Sequence, residues 1–514
     1  MTPQENNQRI VKNTVFLYIR MIIIMLVSLF TSRVILGVLG VEDFGIYNMV
    51  GGIVAMFQIF GNTLTDATQR FLTIEIGKGE DGDQRKVFST CLILHILLGL
   101  LVVVIAEPVG LWFLHHKLLI PPERMVAGEW LFQFSVISMF VMFISIPYNA
   151  LIIAYEKMKA FAAISIIDAG LKLIIAYSLV LSGRIDRLIL YGLLILILQI
   201  FIRFIYSNYS IRHFSEARFH LIWNKDLVKE IGCFSSWIII GNTALMCITH
   251  GINLLLGMFF MPAVNAARGL AVQVETAVKM FTRNFQTAIN PQITKSYAAG
   301  QQERMMDLAF KGARFSSFLL QIPTLPILLE TETILNLWLP EVPQYTAIFI
   351  RLILLTAWVN CIGGNTLAVV VKATGNIRRF ECCVVSIRLL VLPLGYICLR
   401  NGMSPVSVFW VYLLAETAVQ FSNIYVSHSL VKFSVMSYIR QVICPSIIVA
   451  LSSTLPSIVI RSVMPGASVL RLLSTLMICT ISTLMATYFL GITKDERAAI
   501  NSKIHKLKIQ YGRK

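Results

Sequence analysis

The sequence is short of charged residues. Only 14% of its 514 residues are Asp, Glu, Lys or Arg, and 56% are hydrophobic, whereas a typical soluble domain has about 25% charged residues. Its mean hydropathy is +0.74. Apolar segments of about 20 residues or more, each long enough to cross a bilayer, recur along the whole chain. This composition excludes a soluble globular domain and predicts an all-α polytopic membrane protein.

Motifs for catalysis or metal binding are also scarce. The nine cysteines lie mostly in apolar stretches, and without a CxxC pair they indicate neither a metal site nor a disulfide framework. There is no phosphate-binding Walker sequence, and His95 and His250 stand alone in apolar helices. The longest outer loop, Glu107 to Gly128, has only about 20 residues, which leaves little room for a catalytic domain. We therefore expect a protein that is not an enzyme and that has no cofactor.

The hydropathy pattern predicts 14 transmembrane helices. Their centres lie near Val27, Phe57, Leu97, Met139, Ile174, Leu196, Leu245, Val274, Leu320, Leu355, Leu389, Leu413, Ile448 and Met477.

Most of the charges that are present are basic, giving a net charge of +17. If the N-terminus is cytoplasmic, the cytoplasmic segments hold about 28 Lys and Arg and the outer loops about 6. This imbalance predicts that both termini are cytoplasmic. The positive net charge is then explained by basic residues in the cytoplasmic loops. Nucleic acid is therefore not an expected partner.

Three short markers repeat in the same order, at an offset of about 220 residues. They are Leu36-Gly37 with Leu256-Gly257, residues 107–112 with 332–338, and residues 149–151 with 365–367. Parallel repeats of six helices predict two lobes related by a pseudo-two-fold axis along the membrane normal. The predicted domains are an N-lobe (1–210), a basic cytoplasmic linker (211–230), a C-lobe (231–428), and helices 13 and 14 with a basic cytoplasmic tail (429–514). Helices 13 and 14 have no partners in the repeat, which predicts a peripheral role.

Helix 8, predicted from Ala263 to a terminating Pro291, carries one continuous polar stripe. Its members fall within an arc of about 80° on a helix: Arg268, Glu275, Lys279, Arg283, Gln286 and Asn290. A polar stripe at membrane depth must face protein or water, because lipid cannot solvate it. Since its basic groups outnumber the acidic one, it indicates a transport path for an anion. A self-contained Glu275–Lys279 ion pair is the alternative interpretation.

Other helices offer further candidates for the same path. They are Arg20 on helix 1, Asp66 and Arg70 on helix 2, and Asn242, Thr249 and Asn253 on helix 7. Two further sets of intramembrane charges are predicted to be structural. Asp168 and Lys172 form an internal i,i+4 pair, and the other set is Glu381 with Arg388 and Glu416.

Two segments resemble the polysaccharide and O-antigen flippases of the multidrug, oligosaccharidyl-lipid and polysaccharide exporter superfamily. The pattern LG-x-x-x-FG-x-Y runs from Leu39 to Tyr47, and ETETILNLWLP begins at Glu330. The resemblance implies a bacterial inner-membrane protein that moves an isoprenoid-diphosphate-linked oligosaccharide, such as a lipopolysaccharide O-antigen or capsule repeat unit, to the outer leaflet by alternating access. Other glycan-assembly membrane proteins would be its partners.

The resemblance also implies roles for individual residues. Family members use lumen arginines on helices 1, 2 and 8, and Arg20, Arg70 and Arg268 match them by position. Glu275 or Asp66 would be the candidate site for a coupling H⁺ or Na⁺. The membrane potential is the alternative energy source, since an anion leaving a negative interior gains about 2.3 kcal/mol per charge per 100 mV.

Other functions stay open at this stage. A peptidoglycan-precursor flippase would also have 14 helices and a cationic lumen. A multidrug cation antiporter of the same superfamily calls for a mainly acidic cavity, and a membrane polymerase or ligase calls for a large outer loop. A scaffold for a glycan-assembly complex is the remaining alternative.

Overall fold

The computed structural model describes residues 3–77, 83–155, 157–181, 183, 185–218, 220, 222, 224–363, 365–374, 378–464, 466, 468–498 and 501–502. Within these ranges it gives the backbone alone for residues 3–19, 59, 62, 63, 66, 77, 233–245, 284, 287, 288, 291, 295, 298, 365 and 378.

The chain forms two compact units. Unit 1 contains residues 1–270, 339–344 and 395–405, and unit 2 contains residues 271–338, 345–394 and 406–514. The helices of unit 1 are α1 (Pro3–Gly77), α2 (Gln84–His116), α3 (Pro122–Ala154), α4 (Met158–Ser178), α5 (Arg187–His213), α6 (Lys225–Phe259) and the first turns of α7 (Pro262–Ala298).

Unit 2 begins within α7 and holds most of the remaining helices. They are α8 (Gln302–Leu329), α9 (Thr331–Trp338), α10 (Thr346–Gly363), α11 (Asn365–Thr374), α12 (Arg378–Leu389), α14 (Val406–Val431), α15 (Val435–Tyr438), α16 (Cys444–Val463) and α17 (Val469–Ala486). Helix α13 (Val391–Arg400) starts in unit 2 and ends in unit 1.

The all-α prediction is confirmed, with no strand among the residues described above. Each of the 14 predicted helix centres lies in a helix. Within the described ranges, nine helices are long and apolar enough to cross a membrane, or ten if α8 and α9, bent by 81°, count as one span. Helix α7 is not among the nine, because its polar stripe lowers its hydropathy.

Gly40 separates predicted helices 1 and 2 within α1. Its φ of 80° and ψ of 171° are not helical, and residues with a side chain rarely adopt such a positive φ. The Leu39-Gly40 pair of the flippase-like motif therefore lies at a break in the helical backbone, between predicted helices 1 and 2.

The predicted end of helix 8 at Pro291 is wrong. Helix α7 continues through Pro291 to Ala298. A proline removes one backbone hydrogen bond, but its φ fits a helix, and the surrounding turns keep the helix continuous. At 1.5 Å per residue the 37 residues of α7 span about 55 Å, well beyond a hydrocarbon core of about 30 Å.

Buried polar contacts tie α16 and α17, which are predicted helices 13 and 14, to α8. Gln321 of α8 donates to the Ser446 carbonyl at 2.8 Å. Arg471 of α17 pairs with Glu330, the residue at the α8–α9 bend, at 2.7 Å. Arg314 of α8 pairs with Glu496 beyond α17. These two helices therefore pack against α8 within unit 2, and their peripheral role stays a prediction.

Candidate substrate-binding residues

Arg268 lies in unit 1, at the corner between α6 and α7. Its side chain is 5% exposed. The guanidinium donates to the Asn253 side chain and to the Thr249 carbonyl, both on α6. Two of the helix 7 residues predicted for the path therefore hold the predicted arginine of helix 8, and both are neutral acceptors.

Close packing fixes this corner against the second half of α1. A side chain on Gly45 would place its Cβ 2.0 Å from the Pro262 carbonyl oxygen, so only glycine allows α1 and the start of α7 to approach. Gly45 belongs to the flippase-like motif of residues 39–47. The motif thus has a local structural role, which is to seat the first turn of α7 and with it Arg268.

Arg20 lies elsewhere in unit 1. Its guanidinium carbon is 4.2 Å from the centroid of the Phe161 ring on α4, which places the charge over an aromatic face in a cation–π contact. The predicted Asp168–Lys172 pair forms on the same helix, with an oxygen–nitrogen distance of 2.7 Å. Arg20 and Arg268 therefore have different neighbours.

Arg70 is exposed near the C-terminal end of α1 and lies over the ring of Phe71, 5.6 Å from its centroid. It borders an open groove with Gln69 and Thr73. The side chains of Asp66 and Asn242, two other predicted candidates, lie outside the described residues.

In unit 2, Glu275 and Lys279 form the predicted i,i+4 pair, with Oε1 and Nζ 2.5 Å apart. The two side chains differ in exposure, since that of Lys279 is 42% exposed and that of Glu275 only 15%. The ammonium group can thus contact solvent or a ligand while it remains paired with the less exposed carboxylate.

The rest of the stripe continues along α7. Arg283 is exposed. Gln286 is half-buried and donates to the Ser316 hydroxyl of α8 at 3.4 Å. The buried Oδ1 of Asn290 has no hydrogen-bond partner among the described residues. The stripe therefore has an exposed cationic part at Lys279 and Arg283, followed by a neutral amide part.

Unit 1 also contains a charged cluster that the sequence did not predict. Arg124 of α3 donates to both carboxylate oxygens of Asp43, at 2.7 and 2.6 Å. It also donates to Asp186, at 2.5 Å. The three residues come from α1, from α3 and from the N-cap of α5, and no local spacing links them. In contrast, Arg388 and Glu416, two of the three charges predicted as a structural set with Glu381, form an ion pair at 2.8 Å.

Comparison with known proteins identifies the fold. A family model described as MatE matches residues 17–178. No curated protein sequence matches the chain. An inward-facing multidrug resistance MATE family transporter of the MOP superfamily matches with a TM-score of 0.69 and 10% identity, over 82% of this chain and 98% of its own.

Two further solved structures are similar. The lipid II flippase MurJ, in an inward closed conformation, matches with a TM-score of 0.70 and 11% identity, over 93% of this chain and 98% of its own. The MATE multidrug transporter DinF-BH matches with a TM-score of 0.61 and 15% identity, over 83% of this chain and 97% of its own. The chain therefore has the fold that these transporters and this flippase share.

Proposed function

We propose that this chain is a flippase of the bacterial inner membrane. It translocates an isoprenoid-diphosphate-linked oligosaccharide from the cytoplasmic to the outer leaflet by alternating access. The observation that carries the proposal is the exposed cationic part of the α7 stripe in unit 2, where the Lys279 side chain is 42% exposed and Arg283 is exposed one turn further on. A diphosphate needs cationic hydrogen-bond donors, and intramembrane charges mark substrate pathways by default.

The length of the structural matches supports a flippase over a multidrug exporter. Residues 1–431, which end with α14, make up about 84% of the 514-residue chain. The match to the lipid II flippase covers 93% of the chain and so includes part of the region of α15 to α17, whereas the two multidrug transporters cover 82% and 83%. The buried contacts of α16 and α17 with α8 agree with a core that includes these helices.

The charge of the stripe supports the same choice. An exporter of organic cations needs acidic groups facing its substrate, and the one acidic residue of the α7 stripe, Glu275, is already paired with Lys279. An anionic substrate competes with Glu275 for this ammonium group. We therefore assign Glu275 the role of neutralising Lys279 when no substrate is bound.

A second candidate function is the transport of a peptidoglycan precursor. The similarity to a lipid II flippase favours it, and both substrates present a diphosphate to the protein. The two functions differ in the glycan and therefore in which lipid-linked pool accumulates inside the cell when the chain is absent.

The test is the sidedness of the lipid-linked glycan. Spheroplasts with and without the chain are treated from outside with an enzyme that cleaves or labels the glycan. We expect the lipid-linked oligosaccharide to become accessible only when the chain is present. If the external enzyme reaches no more lipid-linked glycan with the chain than without it, while the full glycan is made inside, the proposal fails for that glycan. If lipid II is labelled instead, the second candidate function is established.

Charge reversal at Lys279 tests the path itself. We expect Lys279→Glu to abolish glycan export, because it replaces a substrate-facing cation with an anion beside Glu275, while membrane abundance stays unchanged. Lys311→Glu is the matched control, since Lys311 also pairs with an acid four residues away, Asp307, at 2.7 Å. Normal export by Lys279→Glu would show that the transport path does not pass Lys279. A loss of protein from the membrane would show that the Glu275–Lys279 pair stabilises the fold and does not bind substrate.

A further inference from the structure

Unit 1 contains a partly open cavity of about 250 Å³ between α1, α3 and α5. On α1 it is lined by Tyr47, Gly51, Val54 and Gln58, whose spacing of four, three and four residues puts them on one helix face. Gly51 lies 11 residues after the break at Gly40, about 16 Å along the helix at 1.5 Å per residue. The cavity therefore lies beside the apolar segment that is predicted as helix 2.

The lining is mostly apolar, includes several polar side chains and carries no charge. It contains the carboxamides of Gln58 and Gln199, the hydroxyls of Tyr47, Ser135 and Ser138, and apolar side chains such as Met139. Within the described chain the buried Ser138 Oγ has no hydrogen-bond partner, and the two carboxamides of the lining are half-buried. A buried polar group without a partner is costly, which indicates that something polar binds to it.

Gly51 keeps this cavity open. A Cβ at residue 51 would meet no atom within 4 Å, so packing does not require a glycine there. Glycine in a helix interior destabilises it by about 1 kcal/mol relative to alanine. Empty space in front of a helical glycine, in a cavity that polar side chains line, is better explained by an occupant than by packing.

We propose that this cavity binds one neutral sugar residue of the transported glycan. Sugar hydroxyls both donate and accept hydrogen bonds, which matches carboxamides and hydroxyls, and the apolar side chains and the Tyr47 ring suit the C–H face of a sugar ring. The Tyr47 ring is held edge-on against Tyr191, with centroids 5.2 Å apart. A cavity without charge does not suit a diphosphate or an organic cation.

The position of the cavity on α1 fits the proposed function, on which this inference rests. At 100° per residue, the face of Tyr47, Gly51 and Gln58 lies about a third of a turn from Arg70. One helix thus presents a neutral face for the glycan and a charged face beside it. The two parts of a lipid-linked glycan are then recognised by different groups.

Filling the cavity tests the inference. The variant is Gly51→Leu, which places an isobutyl group in the open space, and the matched control is Gly170→Leu on α4, where a Cβ also meets no atom within 4 Å. The probes are the water-soluble glycan released by mild acid from the cell's own lipid-linked pool, and inorganic diphosphate. Binding to the purified protein is followed by thermal shift.

We expect Gly51→Leu to weaken glycan binding at least tenfold and to reduce export by a similar factor, with diphosphate binding and abundance unchanged. Gly170→Leu should behave as the wild type. Wild-type glycan binding or export by Gly51→Leu would overturn the sugar site, and so would failure of the wild type to bind the released glycan. Export by wild-type cells in the same experiment shows separately whether the proposed function holds.

Discussion

At the scale of single residues, Asp186 has two roles at the start of α5. One carboxylate oxygen accepts hydrogen bonds from the backbone N–H groups of Leu188 and Ile189, at 3.0 and 3.1 Å, and caps the helix. The carboxylate also accepts from Arg124. Burial raises the pKa of Asp186, but the bonds from Arg124 and from the backbone outweigh it and leave the pKa below its usual value.

This pKa predicts how stability depends on pH. We expect Asp186→Asn to lower the free energy of unfolding by about 1 kcal/mol at neutral pH, because asparagine keeps the cap but loses the charge. A lowered pKa in the folded state stabilises the protein above the unfolded pKa of about 3.9. The difference between wild type and variant should therefore vanish as the pH falls through the folded pKa.

Thermal unfolding in detergent at a series of pH values measures this effect. Asp186→Ala serves as the comparison, since it removes the cap as well and should cost about 1 kcal/mol more. Equal melting temperatures for wild type and Asp186→Asn at neutral pH would show that Asp43 alone satisfies Arg124.

Residue-level prediction from the sequence works where spacing is local. Glu275 and Lys279 are four residues apart, so helical geometry alone brings them together, as the structure confirms. Arg124 and Asp43 are 81 residues apart, and only the packed fold joins them. The cavity at Gly51 also could not be predicted from local spacing, because its lining comes from three separate helices.

At the scale of helices, two buried ion pairs join α17 and its extension to the region of α8. The Glu330 side chain is fully buried and that of Arg471 is 7% exposed, and Glu330 also accepts from Thr333 at 2.7 Å. In the middle of α8, the Arg314 side chain is 5% exposed and pairs with Glu496. Glu330 begins the segment that resembles the flippases, so this acidic residue anchors the bend between α8 and α9.

Breaking one partner of this pair should be worse than removing both. We expect Glu330→Leu or Arg471→Met alone to lower the free energy of unfolding by about 3 kcal/mol, because an unpaired charge stays buried. The double variant should recover most of that loss. The exposed Asp307–Lys311 pair is the control, and its removal should change the free energy of unfolding by about 0.5 kcal/mol or less.

Unfolding of the purified variants in detergent, followed by fluorescence or thermal shift, gives the three values. Thr475 also donates to the Glu330 carboxylate, at 3.4 Å. A double variant as unstable as either single one would mean that the hydrogen bonds of Thr333 and Thr475 to this carboxylate stabilise the protein more than the ion pair with Arg471 does. The sequence predicted the helices themselves from length and hydropathy, but not the 81° bend at Glu330, because an interhelical pair fixes it.

At the scale of the whole molecule, the helix count could be predicted because each crossing needs its own apolar segment. The duplication and the domain boundaries remain predictions, and one pair of contacts agrees with a repeat. Gln133 donates to Glu107 in unit 1, at 2.9 Å, and Arg351 donates to Glu332 in unit 2, at 3.1 Å. Glu107 and Glu332 are the residues that start the second sequence marker, and each contacts the helix that follows it.

The predicted topology depends on the whole chain, since an even number of crossings and the basic residues must agree. About 28 Lys and Arg lie in segments assigned to the cytoplasm and about 6 in outer ones.

We expect green fluorescent protein fused after Lys514 to fluoresce, and alkaline phosphatase fused there to be inactive, because both report a cytoplasmic C-terminus. Fusions after Lys117 and Arg400 are the matched controls and should give the opposite pattern. Active phosphatase after Lys514 would require an odd number of crossings, and the basic residues of the tail would then lie on the side that the positive-inside rule disfavours.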